Sequence, residues 1–136
     1  MIYVDTSALL KRYVEETGSE RSVEILLGNT DWITARITLV EIRRNLVRLL
    51  EDKALVVAQA AFAVDWERMY VVELDEVTCA SAAVVAETTG ARSLDALHIA
   101  AAVRAIGRGG RFVTFDKKQA HSARAMGLTV VGVVEE

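Results

Sequence analysis

Short apolar runs alternate along this chain with longer stretches in which apolar residues recur at helical spacing. Residues 2–5 read as a fully apolar strand, Ile2-Tyr3-Val4, ending at Asp5, with Thr6 and Ser7 available to cap a helix. Leu9, Leu10, Tyr13 and Val14 continue as a helical stripe that breaks near Gly18. Ser19 to Leu27 forms a second helix, closed by Gly28-Asn29. Trp32 to Ala35 gives a second strand. Leu39, Ile42, Leu46, Leu49 and Leu50 keep helical spacing from about Arg36 to Lys53, and another helix runs from about Ala54 to Arg68. Tyr70 to Leu74 is a third strand, and Glu76 to Thr89 is helical up to Gly90. Ser93 to about Gly107 is a helix that is apolar nearly all round, which predicts a central, buried position. Gly109-Gly110 turns the chain into the strand Arg111 to Phe115. A short helix from Lys117 to Met126 ends at Gly127, and Leu128 to Val134 is the last strand.

Short strands alternating with helices predict an α/β sandwich, a mainly parallel sheet of about five strands wrapped on both faces. A chain of 136 residues with 52% apolar side chains is expected to be one domain, residues 1–136, around a real core. No segment reaches the ~18 uncharged apolar residues of a membrane span. The chain opens directly on a strand without a leader segment, and its one cysteine, Cys79, excludes an intrachain disulfide. These features predict a cytoplasmic protein with no membrane partner. Cys79 itself is expected as a small buried residue on a helix. The net charge of −3 lacks the basic footprint of a nonspecific nucleic-acid binder, but it leaves room for an unevenly charged nuclease.

Four acids stand out against apolar surroundings. Asp5 and Asp116 end apolar strands, and polar groups at the carboxyl ends of strands gather in one crevice of an open α/β sheet. Asp95 opens the apolar helix, where His98 is the only other polar side chain from Leu94 to Val103. Glu41 shares a helical face with Arg44, Asn45 and Arg48. Each acid has a structural explanation: Asp5 and Asp116 as helix caps, Asp95 as a first-turn charge, Glu41 in a capping box with Thr38. If the four converge, they offer the hard oxygen donors that magnesium or manganese prefers and that support phosphoryl transfer. No thiolate or histidine cluster points to zinc. His98 is expected as a hydrogen-bonded core residue rather than a ligand. Arg104, Arg108, Arg111, Lys117 and Lys118 form either a solvated helix end or a patch that steers a phosphate backbone. Leu9, Leu10, Tyr13, Phe62 and Trp66 suit either core packing or a partner surface. Walker and Gly-x-Gly-x-x-Gly loops and a Gly-x-Ser-x-Gly elbow are all missing. A phosphatase of the aspartyl-phosphate type needs Asp-x-Asp, and position 7 is Ser. A receiver domain needs a lysine ending the fifth strand, where Val133-Val134 stand.

The order Ile-Tyr-Val-Asp5-Thr-Ser-Ala-Leu, then Thr-Leu-Val-Glu41-Ile, then Ser-Leu-Asp95-Ala-Leu-His-Ile-Ala-Ala-Ala, then Thr114-Phe-Asp116 resembles the PIN-domain ribonucleases, above all the VapC toxins of toxin–antitoxin modules. The resemblance covers essentially the whole chain. It implies a three-layer α/β/α sandwich and a magnesium-dependent endoribonuclease in which manganese may substitute. Asp5, Glu41, Asp95 and Asp116 would form the catalytic and metal-binding quartet, with Asp5 and Asp95 as the direct ligands. Thr6 and Thr114 would supply hydroxyls that orient water or a carboxylate. The resemblance also implies an RNA substrate, a homodimer and a cognate VapB-type antitoxin. The alternative is a PIN-like scaffold that binds RNA or protein without catalysis.

Overall fold

Ile2, Tyr3 and Val4 form the innermost strand because all three can be buried on both sides of a sheet. The computed structural model describes residues 1–133. Strand β1 (Ile2–Val4) leads to α1 (Thr6–Leu10) and α2 (Ser19–Leu27), then β2 (Trp32–Ala35), α3 (Ile37–Leu49) and α4 (Asp52–Arg68). Strand β3 (Tyr70–Val72) is followed by α5 (Glu76–Thr89), α6 (Ser93–Ile106), β4 (Arg111–Thr114), α7 (Lys117–Ala125) and β5 (Thr129–Gly132). All pairings are parallel and the order is β3-β2-β1-β4-β5. The expected parallel α/β architecture is therefore present. Several boundaries differ. The first helix closes at Leu10 and gives way to turns, α3 ends at Leu49, and α4 starts at Asp52 rather than Ala54. Val134, expected to end the last strand, lies outside the described residues.

Side chains of β1 alternate between the two faces, as strand geometry requires. Ile2 and Val4 pack with α1, α2, α3 and α4 through Leu9, Leu26, Ile42, Leu46 and Phe62. Tyr3 and Phe112 pack on the other face with α5, α6 and α7 through Val85, Ile99, Ala101 and Ala123. The result is a three-layer sandwich. Core packing claims Leu9, Leu10 and Phe62, while Tyr13 and Trp66 pack half-buried against the same core. Tyr13 and Arg12 also bond the Asp65 carboxylate of α4, at 2.6 and 2.7 Å. Cys79 lies on α5 but is exposed, contrary to the expected burial, because α5 meets the core along Thr78, Ala82 and Val85.

The strand order places a reversal between β1 and β4: the chain runs outward from β1 to β2 and β3, then crosses to β4 and β5. Side chains just beyond the carboxyl ends of β1 and β4 face a crevice that no connection covers, the usual ligand position in such sheets. Gly132 keeps that edge tight. Its φ is +115°, and a Cβ there would stand 2.5 Å from the Thr114 carbonyl oxygen.

Candidate active site

Asp5 follows β1 directly and caps α1. Its Oδ1 accepts the Ala8 backbone N–H at 3.0 Å and the Ser7 hydroxyl at 2.7 Å. Thr6 and Ser7, expected as caps, therefore do other work. Ser7 Oγ accepts the Phe115 N–H at 3.1 Å and lies 3.4 Å from Thr114 Oγ1, which ties β1 to the end of β4. Asp5 is only 4% exposed. Burial raises its pKa above the usual carboxylate range, against the opposing pull of His98 and the Thr114 and Ser7 hydroxyls.

Asp116 lies two residues beyond β4 and caps α7, its Oδ1 accepting the Gln119 N–H at 3.0 Å. Its own N–H donates to Thr114 Oγ1 at 3.1 Å. The side chain is exposed. Asp95 sits in the first turn of α6, which begins from Arg92 without a side-chain cap. The Asp95 side chain is half-buried and accepts no hydrogen bond among the described residues. Burial raises its pKa, and repulsion from Asp116 and Glu41 adds to that shift. Gln119 links the two helices, donating Nε2–H to the Asp95 carbonyl at 3.2 Å, and its buried Oε1 has no partner.

Glu41 is not part of a capping box. Thr38 meets Thr34 Oγ1 at 2.7 Å instead, and the N-terminus of α3 has no side-chain cap. Glu41 Oε1 accepts the Thr6 hydroxyl at 2.7 Å and lies 2.7 Å from His98 Nε2. His98 Nδ1 is 2.7 Å from the Tyr3 hydroxyl, which burial holds in its protonated form. His98 thus bridges the Tyr3 hydroxyl at Nδ1 and the Glu41 carboxylate at Nε2. Burial raises the Glu41 pKa, but the His98 and Thr6 interactions outweigh it, and the net shift is downward. This network joins layers across the end of the sheet, since Glu41 comes from α3 and His98 from α6. His98 is the hydrogen-bonded core residue expected.

All four acids therefore lie round one end of the sheet, linked indirectly through Ser7, Thr114, Gln119 and Thr6 but not closed into one cluster. The PIN domain family pattern matches residues 2–125 of the chain. The chain belongs to the PIN-domain family. Solved structures of similar fold include a toxin–antitoxin complex from Klebsiella pneumoniae, at 12% identity, TM-score 0.71, and 95% and 96% coverage of this chain and that one. FitAcB from Neisseria gonorrhoeae gives 22% identity, TM-score 0.71, and 96% coverage of each chain. VapBC2 from Rickettsia felis, bound to a DNA fragment from its promoter, gives 17% identity, TM-score 0.64, and coverage of 96% and 98%. No curated protein sequence matches the chain.

The acids of this PIN domain offer a cation oxygen donors, which suit magnesium or manganese, while His98 Nε2 is held against Glu41 and His121 lines the cleft beside Asp95 and Asp116. Asp95 has no ion pair among the described residues, and His98 and Arg92 offset only part of the burial and repulsion that raise its pKa. Donor chemistry and charge thus fit a divalent ion. No three acidic, histidine or cysteine side chains among the described residues are close enough together to hold one. Beside Asp95 and Asp116 opens a cleft of ≈ 730 Å³ between the end of α5, the start of α6 and α7.

The basic patch expected from Arg104 to Lys118 is divided by the fold. Arg104 bonds Asp75 and Thr78, both at 2.7 Å, and Arg111 bonds Asn29 at 2.6 Å from the opposite end of β4. Arg108 lies beside Gly127. Only Lys117 and Lys118 line the cleft, where Arg92 and His121 join them. Sequence reasoning missed those two; the i, i+4 spacing of Lys117 and His121 was the available signal.

Proposed function

We propose that the chain is a magnesium- or manganese-dependent endoribonuclease, the toxin of a toxin–antitoxin pair. The observation that supports this reading is four carboxylates arrayed, in an open arrangement, round the β1/β4 reversal of a PIN fold. Asp5 and Asp95 would hold the ion directly, with Glu41 and Asp116 completing the site or holding water. The ion would supply charge neutralisation at the phosphate and a more acidic water. The protein's own groups orient the donors. Ser7 and the Ala8 N–H hold one oxygen of Asp5, Thr6 and His98 hold one oxygen of Glu41, and in each the second oxygen accepts none of these bonds. A VapB-type antitoxin completes the proposal, supported by similar folds solved as toxin–antitoxin complexes, and a homodimer rests on the family resemblance alone.

Asp5→Asn and Asp95→Asn test it on RNA with magnesium. Each should lower the cleavage rate by more than the roughly 10–100-fold that loss of an outer-shell partner costs at metal sites. Wild-type rates from both variants would sink the mechanism. The open arrangement of the acids is the one observation that favours the second reading, a PIN scaffold that binds RNA or protein without cutting.

A further inference from the structure

Most cations near the carboxyl ends of the strands are already engaged. Lys11, Arg12, Arg36 and Arg104 sit in ion pairs. Arg48 bonds the side-chain carbonyl of Asn45. Arg44 on α3, and Arg92, Lys117 and Lys118, differ: all four are exposed, and none has a side-chain hydrogen bond or ion pair among the described residues. The last three line one cleft, together with His121, Asp95 and Asp116. Two helices also begin there, α6 after Arg92 and α7 after Asp116, and their N-terminal ends add positive potential.

The cleft volume, ≈ 730 Å³, falls within the ~300–1,000 Å³ range of sites that seat organic ligands and far exceeds what a lone ion needs. No Phe, Tyr or Trp lines it, and its one aromatic ring is His121. Exposed cations with so little aromatic surface suit phosphates more than bases. Asp95 and Asp116 in the same cleft would put any such phosphate next to the acidic crevice.

We infer that this cleft seats the backbone of single-stranded RNA, with Arg92, Lys117 and Lys118 gripping phosphates on the α6/α7 side of the crevice. The inference rests on the ribonuclease reading above and assigns the side from which the strand approaches. It also predicts a grip that tolerates many sequences, leaving base selection to other contacts.

The test is anisotropy of a fluorescein-labelled single-stranded RNA with the full chain in EDTA, repeated over a salt series. EDTA separates binding from cleavage. The Lys117→Ala/Lys118→Ala double variant should bind about tenfold more weakly than wild type at low salt. Its slope of log K against log salt should be shallower by about 0.7 for each cation removed, and Arg92→Ala should lower the slope by one further step of that size. Arg108→Ala, at the opposite end of the strands in the α6–β4 connection, should match wild type. Both lysines are exposed and stand at a helix N-terminus, where a cation is unfavourable, so their loss should not lower the melting temperature. No RNA binding by wild type, or variants that keep its affinity and slope, would overturn the inference. A chain that cleaves RNA while ignoring these substitutions keeps the nuclease reading and loses this one. A chain that binds through them without ever cleaving does the reverse.

Discussion

Asp95 carries a negative charge that the metal-free fold does little to compensate. Burial and the neighbouring Asp116 and Glu41 raise its pKa. A carboxyl group with a folded pKa above its unfolded value binds its proton more tightly in the native state. Its ionisation therefore opposes folding: stability falls as pH rises from the unfolded value through the folded one, and the whole penalty is present at neutral pH. Asp95→Asn should raise the melting temperature in EDTA near pH 7. The gain should shrink as pH falls through the folded pKa of Asp95, below which the wild type carries no charge there either. Glu41 has the opposite sign. Its lowered pKa contributes stability above its unfolded value, and that contribution is lost as pH falls through the folded one. Melting curves across this pH range separate the two. A loss of stability in Asp95→Asn at neutral pH would show that the carboxylate is a structural charge in the first turn of α6.

At the level of elements, α7 is where capping and chemistry can be told apart. Asp116 Oδ1 accepts the Gln119 N–H, so Asp116→Ala should destabilise the metal-free protein by about 1 kcal/mol. Asparagine is an equally good cap, so Asp116→Asn should keep that stability while removing the charge. Chemical denaturation gives the first comparison and RNA cleavage the second: a variant that is as stable as wild type but inactive assigns Asp116 to the reaction. Equal destabilisation by both substitutions would mean that the charge itself holds α7. The elements themselves were legible because their signals are local. β1 is an uninterrupted apolar run, and α6 is too apolar to lie at the surface. Contacts between elements were not legible. Thr38-x-x-Glu41 has the spacing of a capping box, yet a hydroxyl on β2 takes Thr38, and His98 on α6 draws Glu41 across the sheet end. Arg104, Arg108, Arg111, Lys117 and Lys118 are close in sequence, but α6 and β4 carry the first three away from the crevice.

For the whole molecule, the question is whether the acids act together. The reversal between β1 and β4 brings carboxylates from β1, α3, α6 and the end of β4 to one end of the sheet, and their mutual repulsion is a property of the complete fold. A divalent cation that binds only the native arrangement must stabilise it by RT ln(1 + [L]/Kd), about 2.7 kcal/mol when the ion is present at 100 times its Kd. Adding magnesium or manganese to EDTA-treated protein should therefore raise its melting temperature in a saturable way. Asp95→Asn should begin from a higher metal-free melting temperature and gain much less from the ion. The crossing of these two trends is the informative result, since general salt screening would shift both proteins alike. A wild type that melts at the same temperature with and without either ion would remove the metal from the proposal. It would leave a PIN scaffold acting by binding alone.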